Sequence, residues 1–157
     1  MLKIYLDNCC YGRPFDDLSQ EKIKNEATAK MYIQSLIKYK SIALYSSFML
    51  FHEINDIPFT SNREHILKFV TEYSSFFVSE DRGKDIKPIS EDIMKTGIKK
   101  KDAVHLACAI IAQCDYFITT DRRVINYKAE IIKIVNPIEF VEIWRETVWL
   151  IIYKILL

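Results

Sequence analysis

The sequence predicts an α/β fold, a three-layer α/β/α sandwich with a mostly parallel central sheet, and three observations carry that prediction. Short apolar strands alternate with segments of helical periodicity along most of the chain. Two of those strands, in "KIYLD" (residues 3–7) and "YFITTD" (116–121), run straight into a carboxylate. No internal repeat and no linker divides the 157 residues, so one core can serve them all.

Each element has its own local reason. Residues 3–6 are a short buried strand, followed by a loop through Arg13-Pro14. Ile23, Ala27, Met31, Ile33, Leu36 and Ile37 recur at helical spacing and predict a helix over about 19–39. A second strand covers 41–45, and Ser47 is placed to cap a helix over 48–54 that Pro58 forbids from running on. Ser61 and Glu64 have capping-box spacing for a helix to about 73, and 76–78 form a third strand. A helix over about 90–96 should stop at Gly97. Residues 102–114, "DAVHLACAIIAQC", are nearly all apolar beyond the first turn and predict a buried helix. Strands follow at 116–119 and 131–135, and Asn136-Pro137 opens a last helix through about 145. Residues 1–146 read as one domain and 147–157 as an apolar tail.

Composition excludes several classes. A formal net charge of +1 gives no global sign of a nucleic-acid partner, so an anionic ligand would need a local basic patch. Cys9, Cys10, Cys108 and Cys114 include no C-x-x-C spacing, which argues against zinc and against a disulfide scaffold; cysteine as buried filler is the simpler reading. With no cleavable signal peptide at its start, the chain is expected in the cytoplasm.

In parallel sheets ligands gather beyond the carboxyl ends of the strands, where Asp7 and Asp121 stand. Asp102 opens a helix that must return antiparallel to the Asp121 strand, so it belongs at the same edge. Glu53 lies six residues past Ser47, about 9 Å along its helix, within reach if that helix leans over the edge. Two carboxylates ~4 Å apart repel by about 4 kcal/mol at an effective dielectric near 20. A hard divalent cation, Mg²⁺ or Mn²⁺, relieves that repulsion with oxygen ligands alone. Each acid also has a plainer role: Asp7 or Asp121 opening a loop, Asp102 favouring a helix dipole, Glu53 pairing with a lysine. Independent solubilising acids would not be expected to converge on one edge.

These residues resemble the PIN-domain family of metal-dependent ribonucleases, in particular its VapC-like toxins. The resemblance rests on "YLDNCC", "FMLFHEI", "KKDAVHLACAI" and "DYFITTDRR", in order and spacing across residues 3 to about 141. It implies a PIN-like sandwich and a metal site of Asp7, Glu53, Asp102 and Asp121 holding Mg²⁺ or Mn²⁺. Thr119 matches a polar supporting position. The chain departs from the family in "DNCC", where many relatives carry Thr-Asn or a similar small polar pair after the first Asp, which leaves Asn8 as the residue for a polar supporting role beside Cys9 and Cys10.

His105, one turn into the apolar helix, reads as a satisfied core histidine rather than a general base. His52 points about 100° away from Glu53 on its helix and reads as packing or surface. No acid–His–Ser pattern and no glycine-rich phosphate loop occurs. Lys101, Arg122 and Arg123 flank the acids and would hold the phosphates of a substrate. Tyr5, Tyr11 and Phe15 offer rings for base stacking, although Tyr5 suits the core better. The tail "VWLIIYKILL" is too short to span a bilayer, which needs roughly 20 apolar residues; it either packs back on the domain or covers a partner or second subunit, and an exposed apolar strip favours the interface.

The expected function is therefore a metal-dependent endoribonuclease, the toxin of a toxin–antitoxin pair, with an RNA substrate, an antitoxin partner and a homodimeric state. The alternative is a catalytically inactive PIN-like module that binds nucleic acid or protein. A receiver-like phosphoacceptor is disfavoured, because "LDNCC" lacks the acidic pair that class requires near the first strand.

Overall fold

A computed structural model describes residues 1–157. Five strands form one sheet: β1 (Lys3–Leu6), β2 (Ala43–Ser47), β3 (Ser74–Val78), β4 (Tyr116–Ile118) and β5 (Lys133–Val135), in the order β3-β2-β1-β4-β5. Every pairing is parallel. β1 is central; Tyr5 stands opposite Tyr45 on one side and Phe117 on the other. The carboxyl ends of β1, β2 and β4 therefore share one edge.

Strand alternation divides β1 between two cores. Ile4 and Leu6 face a cluster with Ile33 and Ile37 of α2 (Glu21–Lys38), Leu50 and Ile54 of α3 (Phe48–Asn55), and Phe69 and Val70 of α4 (Thr60–Tyr73). Tyr5 and Phe117 face a second cluster with Ile86 and Ile93 of α5 (Gly83–Met94) and the apolar run of α6 (Lys100–Ile111). Helices thus cover both faces, and the predicted three-layer α/β/α sandwich is the fold observed.

Several boundaries differ from the sequence expectation. Residues 8–15 are not a loop: α1 (Asn8–Gly12) and a 3₁₀ turn at Arg13–Phe15 follow β1, because the Asp7 side chain caps α1. The second strand lies two residues later than expected, since its register begins at Lys3 against Ala43. Ser47 then both ends β2 and caps α3, as its position predicted. The expected Ser61–Glu64 capping box does not form; α4 starts at Thr60, which puts Ser61 inside the first turn and leaves Phe59 at the cap.

α5 begins seven residues before the expected start and carries Pro88 in its interior. Burial of Ile86 and Ile93, two turns apart on one face, outweighs the lost backbone donor. Gly97 adopts φ +97°, the left-handed conformation that favours glycine, but the cap itself is Lys95.

The largest difference lies at the C-terminus. Asn136 caps α8 (Pro137–Leu156) with its side chain on the Glu139 N–H, and the helix does not end near 145. No glycine or proline interrupts it before Leu156. Phe140 and Val141 are buried against the domain, whereas Trp149, Leu150, Tyr153 and Ile155 are exposed, so the last turns do not fold back. No helix is long and apolar enough to cross a membrane.

This division predicts a contrast in urea denaturation. Ile33→Ala, at a position with no exposure, should cost about 2–5 kcal/mol. Ile155→Ala, 76% exposed, should change stability by no more than about 0.5 kcal/mol.

Candidate metal centre

Asp7 is the first residue beyond the central strand and is only 4% exposed. Its backbone N–H donates to the Ile118 carbonyl (2.9 Å), extending the sheet by one bond and fixing the carboxylate at the edge. Oδ1 accepts the Asn8 backbone N–H at 2.8 Å. Oδ2 accepts the Thr119 hydroxyl at 2.7 Å and lies 3.4 Å from Cys9 Sγ.

Thr119, fully buried just past β4, also accepts the Asp121 backbone N–H at 3.1 Å and so bridges the two strand-ending acids. This is the position that the resemblance marked as supporting. Asn8 supports Asp7 through its backbone, while its side-chain Oδ1 is buried without a hydrogen-bond partner. Cys9 is more than filler: its sulfur touches Thr119 Oγ1 (3.4 Å) and accepts the Thr120 N–H (3.3 Å). Cys10, Cys108 and Cys114 are buried, as filler would be.

α3 does lean over the edge. A carboxylate oxygen of Glu53, one of Asp7 and a ring nitrogen of His105 all lie within 4.8 Å of one another. Glu53 Oε2 is 2.6 Å from His105 Nε2, and the other ring nitrogen, Nδ1, is 2.7 Å from the Tyr5 hydroxyl. His105 is thus the satisfied core histidine the sequence suggested. The sequence alone does not pair it with Glu53; the available signal is the i,i+3 spacing of His105 from Asp102, which puts those two on one face of α6.

Burial pushes the Glu53 carboxyl up, but the hydrogen bond and pull of His105, with Lys101, outweigh it and hold the group below its ordinary value. Asp121 caps α7 (Arg122–Ile125), and both its oxygens are taken by Arg123, at 2.9 Å to Nη2 and 2.9 Å to the backbone N–H. The Arg123 side-chain hydrogen bond, the first cause, lowers the Asp121 carboxyl.

Asp102 has no such partner. Burial raises its carboxyl, and the charges of Asp7, Asp121 and Glu53 raise it further against the pull of His105. The four predicted acids are therefore within electrostatic reach of one another. Asp7 and Glu53 meet at close range; Asp102 and Asp121 stand outside that cluster.

Of the predicted basic residues, Lys101 and Arg122 are exposed, while Arg123 is committed to Asp121. Tyr5 and Tyr11 are fully buried, which removes them as stacking platforms. Phe15 is 42% exposed and, with Phe59, lines a cavity of about 330 Å³ whose wall includes Asn8 and Cys9, next to Asp7.

The donor set fits a hard cation. Asp7 and Glu53 offer anionic oxygens with lone pairs beyond those already bonded, and Asp102 adds a third carboxylate destabilised as an anion by its neighbours. Both nitrogens of the imidazole are engaged, and the one sulfur beside Asp7, Cys9 Sγ, is taken up by Thr119 and the Thr120 N–H.

The uncompensated charge gives a prediction in metal-free buffer. Because folding raises the Asp102 carboxyl, the folded state binds its proton more tightly, and stability falls as pH rises from the ordinary aspartate range through the raised one. Asp102→Asn should therefore raise the melting temperature at pH 7, by about 2–4 °C per kcal/mol of strain removed. The gain should vanish once the pH drops below both values, as read by thermal melts across pH 3–7.

No family model and no curated protein matches the chain. Solved structures do. One is VapBC2 from Rickettsia felis bound to a DNA fragment from its promoter, with 10% identity over 86% of this chain and 98% of that one, TM-score 0.54. Another is FitAcB from Neisseria gonorrhoeae, with 15% identity over 85% and 97%, TM-score 0.55. At these identities the likeness concerns architecture, and with the five-stranded parallel sheet it establishes that this chain has a PIN-like fold.

Proposed function

We propose that the chain is a Mg²⁺- or Mn²⁺-dependent endoribonuclease that hydrolyses RNA phosphodiester bonds as the toxin of a toxin–antitoxin pair. The observation that carries this reading is the close approach of Asp7 and Glu53 at the carboxyl edge of the sheet, with Asp102 beside them in a field of negative charge.

Asp7, Glu53 and Asp102 are the residues to hold the ion, with Asp121 completing the acidic edge. The bound ion supplies activation of water and neutralisation of charge on the phosphoryl group. The chain supplies the rest. Thr119 and the Asn8 N–H fix the orientation of Asp7. Lys101 and Arg122 are exposed, and their charge would hold the phosphates flanking the scissile bond. Arg123 clamps Asp121 and ties the opening of α7 to the edge. The cavity bounded by Phe15 and Phe59 offers an unpaired base an apolar flank close to Asp7.

An antitoxin partner accords with the two-component complexes named among the structural neighbours. A cytoplasmic homodimer is part of the same reading, and the exposed apolar turns of α8 are the surface it would use.

One observation favours the inactive-module alternative. Glu53 is already paired with His105 and Asp121 with Arg123, so two of the four acids are compensated without an ion. The two readings part in one assay. With Mn²⁺ the native chain should cleave single-stranded RNA, and Asp7→Asn should reduce cleavage to background. Equal cleavage by the variant, or RNA binding with no cleavage at any Mn²⁺ concentration, would sink the enzyme reading.

A companion variant tests the supporting shell. Thr119→Val, which removes the hydroxyl donated to Asp7, should lower Mn²⁺-dependent cleavage by about 10–100-fold.

A further inference from the structure

A line of buried hydrogen bonds begins and ends on α3. The Leu50 N–H reaches Ser47 Oγ (3.4 Å), Ser47 Oγ meets the Tyr5 hydroxyl (2.6 Å), and Tyr5 meets His105 Nδ1 (2.7 Å). His105 Nε2 then meets Glu53 Oε2 at 2.6 Å. Ser47, Tyr5 and His105 have no solvent exposure, and Glu53 keeps 17%. The line passes from the α3 cap, through the central strand and across to α6, before returning to α3 six residues beyond the cap.

Its direction follows from donor inventory. A carboxylate only accepts, so the hydrogen between Glu53 and His105 belongs to Nε2. In the tautomer that carries its hydrogen there, Nδ1 accepts from the Tyr5 O–H. The Tyr5 oxygen accepts from Ser47, and Ser47 accepts from Leu50. Each hydrogen in the line points the same way and ends on the Glu53 carboxylate. Tyr5 cannot drift from this arrangement, because its ring stacks on Phe117 with centroids 5.4 Å apart and planes 13° apart.

We propose that His105 is a positioning residue: held by Tyr5 and Ser47, it turns the Glu53 carboxylate toward Asp7 and is not itself a ligand. Three features support positioning over ligation. Both ring nitrogens already have short hydrogen bonds. The ring is completely buried, so an ion could reach Nε2 only by displacing Glu53. Glu53 would otherwise be free to swing, since glutamate has three rotatable side-chain bonds and α3 anchors only its backbone. The role of the bound ion rests on the ribonuclease reading; the hydrogen-bonded line stands apart from it.

Two measurements on the full chain test the proposal. In the metal-free protein, long-range ¹H–¹⁵N spectra should show a slowly exchanging His105 Nε2–H whose shift moves on Glu53→Gln. A ring protonated on Nδ1 alone, or an Nε2–H in fast exchange, would overturn it. Calorimetric Mn²⁺ titration, paired with thermal melts to confirm folding, supplies the second measurement. Tyr5→Phe and His105→Leu should weaken Mn²⁺ binding by about 10-fold or more, whereas His105→Gln, whose amide N–H can still reach Glu53, should recover most of it. Equal weakening by Gln and Leu with no effect of Tyr5→Phe would make His105 a ligand and overturn the assignment. If the native chain takes up no Mn²⁺ while the Nε2–H signal is as expected, the ribonuclease reading fails and the positioning of Glu53 survives.

Discussion

Asp7 is a carboxylate with 4% exposure at the end of the strand around which the sheet is built. A buried charge of this kind is costly unless its lone pairs are met, and here donors arrive from two directions. Asn8 reaches back from the start of α1, and Thr119 reaches across from the end of β4. The short helix after β1 exists because Asp7 caps it, and β4 is tied to β1 beyond its last paired residue because Thr119 bonds Asp7. The local turn, the sheet edge and the acidic site are consequences of one carboxylate being satisfied in place.

The remaining acids are brought to it by topology. Parallel strands put the ends of β1, β2 and β4 on one side, so the helices that leave or return to those ends deliver their first residues there. α3 leaves β2 and carries Glu53; α6 returns toward β4 and carries Asp102 and His105 on one face. The antiparallel return of α6 is fixed at the opposite edge, where the Asp115 N–H and carboxylate grip the two ends of Lys3 at 2.8 Å each. Apolar burial of α6 thus sets the positions of Asp102 and His105.

What was legible in the sequence follows this division between local and distant causes. The strands, the Ser47 cap, the Asn136 cap and the placement of four acids on one edge depend on nearest neighbours and on parallel topology, and those signals are written in short runs. The bond from His105 to Glu53 joins residues 52 positions apart, and that from Cys9 to Thr119 joins residues 110 apart. Neither residue type is unusual where it stands, so no local pattern marks them. α5 and α8 exceeded their expected lengths for opposite reasons. Burial of Ile86 overrode the break signalled by Pro88, whereas the end of α8 simply meets no residue that would stop it.

The three distal acids reach the edge in different electrostatic states. Glu53 is paired with an imidazole, Asp121 with a guanidinium, and Asp102 with nothing. An unpartnered half-buried carboxylate facing three others is a liability for a protein that needs only to fold, since each close pair contributes repulsion on the order of a few kcal/mol at low effective dielectric. Full compensation would have been easy: a lysine at 102 would neutralise the edge and still begin a helix. The arrangement instead leaves Asp102 without a partner, within electrostatic reach of two acids that already have theirs, Asp7 with Thr119 and Glu53 with His105. Orientation of the two lowers the ordering cost that a cation would meet, and the unpartnered third would add charge in its favour. Stability withheld at Asp102 and rigidity invested at Asp7 and Glu53 are therefore two aspects of one acidic edge that could hold an ion.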